Sequence, residues 1–173
     1  MTKKYFCVHH TAVHTWRNQL YSVDAYHRNK FKILSSLGWY VGYNHFIDVD
    51  GTETTCRNWK EETAAQVGHN CDVPEKCDTI SVCLAGNFVY RYPNFKQKRA
   101  LRRLYKRVGY MYPEIEITLH RKLQANRTCP GKNVTVEYLE DFLKRRSRPV
   151  RAVLSPRLRA ILKRLRSLLR RQR

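Results

Sequence analysis

Hydrophobic and polar positions along the chain predict strands that alternate with helices. Short apolar or alternating runs predict strands at Tyr5–His10, Tyr43–Val49, Thr52–Cys56, Thr79–Ala85 and Ile115–His120. Apolar residues at helical spacing predict helices at Val23–Leu34, Phe95–Tyr110 and Val136–Arg146, with Asn94 and Thr135 as N-caps of the last two. Asp50-Gly51 suits a tight turn that joins the second and third strands as a hairpin. This order predicts an α/β fold with a mixed central sheet flanked by helices.

The C-terminal segment follows a different pattern. Ser147–Ser155 contains Pro149 and predicts a hinge, and Ser155-Pro156 predicts the start of a further helix. At about 100° per residue, the apolar residues of this helix fall within an arc of roughly 120°. These residues are Leu154, Leu158, Ile161, Leu162, Leu165, Leu168 and Leu169. We therefore divide the chain into a domain at 1–146 and a hinge with an amphipathic helical tail at 147–173.

Positive charge is concentrated near the C-terminus. The 173 residues have a formal net charge of +20, from 34 basic and 14 acidic side chains. Residues 144–173 hold 13 of the basic residues and no acidic residue, which leaves +7 for the first 143. Three roles fit such a cationic tail: contact with anionic lipid or lipopolysaccharide, nonspecific binding of nucleic acid or anionic polymers, or docking on the chain's own domain. The segregation of leucine from arginine favours membrane contact, through Arg157, Leu158, Ile161, Leu162, Leu165 and Leu169.

Composition and cysteine placement exclude several classes of protein. A hydrophobic content of 42% supports a folded core, and no apolar run approaches the roughly 18 residues of a membrane span. The first residues lack the apolar run of roughly 7–15 that a secretory signal needs, so we expect synthesis in the cytoplasm without a signal peptide. Cys7 and Cys83 lie in apolar runs that predict buried thiols, whereas Cys71 and Cys77 lie in a polar loop and could pair in an oxidising compartment.

Three residues have the side chains of a catalytic zinc site. His9 ends the first predicted strand, His120 ends the last, and Cys129 precedes Pro130-Gly131. A catalytic zinc usually takes three protein ligands and keeps a fourth position for water, and groups at strand ends are where an α/β fold presents its chemistry. Spacing alone is weak evidence, because seven histidines and six cysteines allow many such triplets.

Four motifs that occur in order make the pattern specific. They are VHHTAV at 8–13, GWYVGYNHFIDVDGT at 38–52, SVCLAGNF at 81–88 and LHRKLQANRTCPG at 119–131. Together they resemble the zinc-dependent N-acetylmuramoyl-L-alanine amidases, and most closely the phage lysozyme-type amidases and the related peptidoglycan recognition proteins. The resemblance spans about Tyr5 to Leu143. Cys129 as third ligand and Cys83 in the central strand favour the phage branch over the cytoplasmic recycling amidases, which have Asp and Glu at these positions.

The resemblance implies a role for individual residues. His9, His120 and Cys129 match the metal ligands, and Tyr43 matches the active-site tyrosine of the family. Arg127 matches a position at which many phage enzymes have a catalytic lysine. Arginine does not give up a proton readily, because its pKa exceeds about 12, so we assign Arg127 an electrostatic role.

The sequence leaves several candidates for the proton donor, and the resemblance implies an overall function. Water, Tyr43 or His69 are candidate donors, and His69 also resembles a histidine of the family's substrate groove. The resemblance implies a phage endolysin that needs Zn²⁺, hydrolyses peptidoglycan and acts at the cell wall or periplasm of a bacterial host, and we expect the protein to be a monomer. Two alternatives are a non-catalytic peptidoglycan-recognition module and an amidase whose basic tail binds nucleic acid or a polymerase as a regulator.

Overall fold

A five-stranded mixed sheet organises the protein. The computed structural model describes residues 3–60, 78–124 and 127–144. The strand order is β3-β2-β4-β1-β5, and every neighbouring pair is parallel except the β2–β3 hairpin. The strands are β1 Tyr5–His10, β2 His45–Ile47, β3 Glu53–Thr55, β4 Thr79–Leu84 and β5 Glu116–Leu119. The mixed sheet and the central position predicted for 79–85 are confirmed, because β4 pairs with both β1 and β2 and is buried throughout.

Two helices cover one face of the sheet. Helix α2, Phe95–Met111, and helix α4, Val136–Lys144, pack there over apolar side chains of the strands, including Phe6, Val8 and Ile80. Asn94 caps α2 as predicted: its side chain accepts a hydrogen bond from the Gln97 backbone N–H, and the Gln97 side chain accepts one from the Asn94 N–H. This face therefore holds the main apolar core of the described residues.

Helix α1 begins and ends earlier than the sequence predicts. It spans Leu20–Lys30 rather than Val23–Leu34. Its first turn is capped from a distance, because the Asp48 carboxylate accepts hydrogen bonds from the N–H groups of Gln19 (2.5 Å) and Leu20 (3.3 Å). Asp24 lies within the helix, and its carboxylate accepts hydrogen bonds from the backbone N–H groups of Tyr40 and Val41. Lys32 has a positive φ of 58°, a conformation that ends the helix.

The remaining elements lie close to their predicted positions. The hairpin strands are shorter than predicted, and His120 lies outside β5, at the start of the short helix α3, His120–Leu123.

No helix among the described residues is long and apolar enough to cross a membrane. Cys7, Cys56, Cys83 and Cys129 are free thiols. The predictions for His69, Cys71, Cys77, residues 145–146 and the tail at 147–173 fall outside the described residues.

Candidate active site

The structure brings His9, His120 and Cys129 together at one edge of the sheet. Strands β1 and β5 are parallel neighbours, so His9 at the end of one strand meets His120 just after the other. Their ring centroids are 4.7 Å apart, and Cys129 Sγ lies 3.9 Å from His9 Nδ1. One candidate ligand atom from each residue lies within 4.8 Å of the other two.

The loop that carries Cys129 is anchored by Arg121. The Cys129 carbonyl accepts a hydrogen bond from the Arg121 backbone N–H, at 3.1 Å. The Arg121 guanidinium donates to the carbonyls of Gly131 (2.8 Å) and Val134 (2.7 Å). Charged donors make strong hydrogen bonds to carbonyls, so these contacts fix the thiol relative to α3.

The three residues fit a zinc ion in spacing and chemistry. Tetrahedral zinc, with Zn–S near 2.3 Å and Zn–N near 2.1 Å, separates its ligand atoms by about 3.4–3.6 Å. The separations in the structure are 3.9 Å between His9 Nδ1 and Cys129 Sγ and at most 4.8 Å between any two candidate ligand atoms, so the three side chains must move closer together to hold the ion. Nδ1 is the His9 nitrogen that lies 3.9 Å from Cys129 Sγ, so it is the candidate ligand atom of that buried ring. Two imidazoles and a thiol are donors that zinc accepts.

Burial sets the protonation of these ligands. Desolvation, together with the positive charges of His120 and His10 when protonated, lowers the pKa of His9 well below its usual value, so the imidazole is neutral and has a free lone pair. Desolvation raises the pKa of Cys129 to about 12, although a hydrogen bond from the His10 N–H and the cations Arg121 and Arg127 oppose that rise. A bound metal cation would supply the positive charge that a thiolate needs at this position.

His10 occupies the opposite side of the strand from His9. Its Nδ1 accepts a hydrogen bond from the Phe88 N–H at 3.2 Å, and its ring packs near Phe88. Successive side chains of a strand point to opposite faces, which explains why only the first histidine of the pair reaches the ligand cluster.

Tyr43 lies against the ligand cluster. Its ring centroid is 5.1 Å from that of His9, and its hydroxyl hydrogen bonds with the buried thiol of Cys83. Desolvation and the nearby thiols raise the pKa of Tyr43 well above its ordinary value, so the hydroxyl keeps its proton at neutral pH. The segment before it is held by His27, whose Nδ1 accepts a hydrogen bond from the Gly42 N–H at 2.9 Å.

A cleft of about 520 Å³ opens beside Tyr43, between α1 and the loop that follows β1. It is lined by Thr11, Val13, Gln19, Ser22, Val23, Tyr26, His27 and Tyr43. A second cavity of about 770 Å³ lies on the sheet face that α2 covers, and its lining includes neither Tyr43 nor any of the three ligands. There the Glu53 carboxylate already pairs with His45 and Arg107, so the cleft at Tyr43 is the better candidate for substrate.

Arg127 is linked to the ligand His120 by the side chain of Gln124. Arg127 is exposed, and its Nε donates a hydrogen bond to Gln124 Oε1 at 2.9 Å. The same oxygen lies 3.1 Å from Nε2 of His120. Gln124 was not singled out by sequence reasoning, although its position four residues after His120 puts the two side chains on one side of a helical turn.

Comparison with known protein families gives one match. A family model described as N-acetylmuramoyl-L-alanine amidase matches residues 1–132. No curated protein sequence matches the chain significantly.

Solved structures with low sequence identity share the fold. The N-acetylmuramoyl-L-alanine amidase LysC from Clostridium intestinale is 21% identical, with a TM-score of 0.65 over 84% of this chain and 88% of that one. The Ph2119 endolysin from a Thermus scotoductus bacteriophage is 18% identical, with a TM-score of 0.63 over 83% and 86%. A tyrosine-to-phenylalanine mutant of Drosophila PGRP-LB in complex with tracheal cytotoxin is 17% identical, with a TM-score of 0.63 over 79% of each chain.

Proposed function

The chain belongs to the N-acetylmuramoyl-L-alanine amidase family, and from this premise we propose that it is a zinc-dependent endolysin of the phage type. Family membership makes the protein a hydrolase of the amide between N-acetylmuramic acid and L-alanine in peptidoglycan. The observation that carries the zinc proposal is the convergence of two imidazoles and one thiol from three separate parts of the chain.

His9, His120 and Cys129 would hold the metal. When bound there, zinc would act as a Lewis acid toward the scissile carbonyl and lower the pKa of water from ~16 toward ~7. The protein contributes the rest of the site: parallel strands that bring the two histidines together, and a loop tied by Arg121 that brings the thiol.

Tyr43 and Arg127 would stabilise the negative charge that develops on the carbonyl oxygen. The Tyr43 hydroxyl remains protonated because burial raises its pKa, so it can donate a hydrogen bond to that oxygen. Arg127 adds a permanent positive charge beside His120, through the hydrogen bond with Gln124. Because arginine is a poor acid, we expect Arg127→Lys to raise the rate only if proton donation at this position limits turnover.

The cleft beside Tyr43 would bind the stem peptide. Tyr43, in the wall of the cleft, has its ring centroid 5.1 Å from that of His9, and the cleft has both polar and apolar lining, as expected for a peptide ligand. A non-catalytic recognition module is not favoured, because this chain retains Tyr43 and all three ligand side chains in one cluster.

The reaction is tested with purified cell walls. We expect new L-alanine amino termini without new reducing sugar ends, and we expect a chelator to stop their release and added zinc to restore it. Undiminished release by the Cys129→Ala variant would overturn the zinc assignment.

We propose that the tail at 147–173 contacts anionic membrane or lipopolysaccharide and so helps the enzyme reach the wall from the cytoplasm in which it is made. The support is the segregation of leucine and arginine in the sequence. Deleting Ser147–Arg173 should abolish binding to anionic vesicles and leave hydrolysis of isolated wall intact. Loss of DNA binding alone, with vesicle binding unchanged, would favour the nucleic-acid role instead.

A further inference from the structure

One side-chain oxygen links a metal ligand to the arginine of the site. Gln124 Oε1 lies 3.1 Å from His120 Nε2 and accepts a hydrogen bond from Arg127 Nε at 2.9 Å. An amide carbonyl has two lone pairs, so it can accept both hydrogen bonds at once. Gln124 is half-buried, whereas Arg127 is exposed.

The backbone explains why Gln124 can do this. Helix α3 is a single turn that begins at His120, and the Gln124 N–H closes it by donating to the His120 carbonyl at 3.0 Å. The turn places the side chain of residue i+4 over that of residue i. The geometry is thus set by the chain immediately around the ligand.

The contact with Gln124 determines which nitrogen of His120 has the proton. A carbonyl oxygen can only accept, so the ring nitrogen that faces it must be the N–H. Nε2 therefore holds the hydrogen, and Nδ1 is left with the lone pair that a metal requires. Histidines that bind metals commonly donate their other N–H to an oxygen in this way, which orients the ring and makes it a better donor.

We propose that Gln124 is a positioning residue that fixes the tautomer and orientation of His120 for metal binding and holds the Arg127 guanidinium beside it. The proposal rests on the zinc centre proposed above. It assigns Gln124 two roles through one atom, and each role can be tested separately.

The first role is tested by metal affinity. Gln124→Met keeps the side-chain length but removes the acceptor, Gln124→Glu keeps an acceptor oxygen, and Lys122→Met is the matched control on the exposed side of the same turn. Zinc affinity is measured by competition with a chromophoric chelator, and the ligand field by the absorption spectrum of the cobalt-loaded protein. Thermal unfolding of the metal-free proteins checks that the fold is intact.

We expect Gln124→Met to weaken zinc binding by about 10–100-fold and to change the cobalt spectrum. Gln124→Glu should bind zinc at least as well as the unmodified protein, and Lys122→Met should match it. If the unmodified protein binds zinc but Gln124→Met binds it within twofold, the inference about Gln124 is overturned and the zinc centre stands. If the unmodified protein binds no zinc, the zinc centre itself is overturned, and the inference with it.

The second role is tested by a double-mutant cycle on wall hydrolysis at saturating zinc. Arg127→Met is made alone and in the Gln124→Met background. Residues that act as a unit have non-additive effects, so we expect Arg127→Met to lower kcat by a smaller factor when Gln124 is already absent. Equal factors in both backgrounds would show that Gln124 does not position Arg127.

Discussion

The two faces of the central sheet contain very different side chains, although the same strands build both. In β1, Phe6 and Val8 point into the apolar core beneath α2, whereas His9 points to the ligand cluster. In β4, Ile80 and Val82 join that core, and Cys83 lies behind Tyr43 on the other face. Strand alternation thus lets one segment contribute both to stability and to chemistry.

The difference shows where the protein can tolerate unfavourable groups. The face beneath α2 and α4 buries a continuous set of aliphatic and aromatic residues, which supplies most of the hydrophobic stabilisation of the described residues. The opposite face has a buried histidine, His9, with a nitrogen that none of the described residues hydrogen bonds, and thiols whose pKa values burial raises. We therefore expect mutations on the two faces to affect activity and stability separately.

The strongest test of this separation compares His9 with its neighbour. His9→Ala removes a proposed ligand, and loss of a Lewis acid worth several kcal/mol should lower kcat/KM by about 10³-fold or more. His10→Ala removes the acceptor for the Phe88 N–H, so it should lower the free energy of unfolding by about 1–3 kcal/mol and spare most activity per folded molecule. Equal loss of activity in both variants, measured on purified wall, would contradict the assignment of separate roles.

Tyr43→Phe tests the chemistry of the same face without removing a metal ligand. Loss of one hydrogen-bond donor to a developing oxyanion typically costs about 10²–10³ in kcat. We expect a loss of that size with unchanged zinc content and little change in KM. A variant with full kcat would show that the Tyr43 hydroxyl is only a partner of Cys83.

Leu104→Ala tests the apolar face. Leu104 is fully buried between α2 and the sheet, so its truncation should lower the free energy of unfolding by about 2–5 kcal/mol in urea denaturation. Zinc affinity and specific activity of the folded fraction should not change. A fall in zinc affinity under conditions where the variant is folded would mean that the two faces are coupled.

A smaller effect is expected from pH. Burial, and then the positive charge of Arg57, lower the pKa of His27 to about 4 from an ordinary value near 6.5. Between about pH 6.5 and 4 the unfolded chain binds a proton that the folded protein does not, so the free energy of unfolding decreases as the pH falls through this range. Urea denaturation at pH 7 and pH 5 should show the decrease, and His27→Gln should reduce it. An unchanged pH dependence in that variant would exclude His27 as a contributor.

The elements could be predicted from sequence where the signals are local. The apolar run at 79–85 and the Asn94 cap placed β4 and α2 correctly, because burial and capping depend on neighbouring residues. The sequence predicts a start for α1 that is three residues too late. The helix begins where the Asp48 side chain, from the distant β2–β3 turn, accepts hydrogen bonds from its first N–H groups. The pattern of apolar residues near Leu20 cannot predict a contact with a residue so far away in the sequence.

The candidate site shows the same limit. Motif order singled out His9, His120 and Cys129, and the fold places one candidate ligand atom of each within 4.8 Å of the other two. The contact of Gln124 with both His120 and Arg127 could not be predicted, because it depends on the single turn of α3 and on the rotamers of three side chains. The cleft beside Tyr43 likewise depends on how α1 packs against the loop after β1.

X-ray absorption spectroscopy of the zinc-loaded protein tests the central claim most directly. We predict one zinc per chain, with one sulfur near 2.3 Å and two imidazole nitrogens at about 2.0–2.1 Å. The sulfur contribution should disappear in Cys129→Ala. A zinc environment without sulfur, or a sulfur signal that persists in that variant, would contradict the proposed centre.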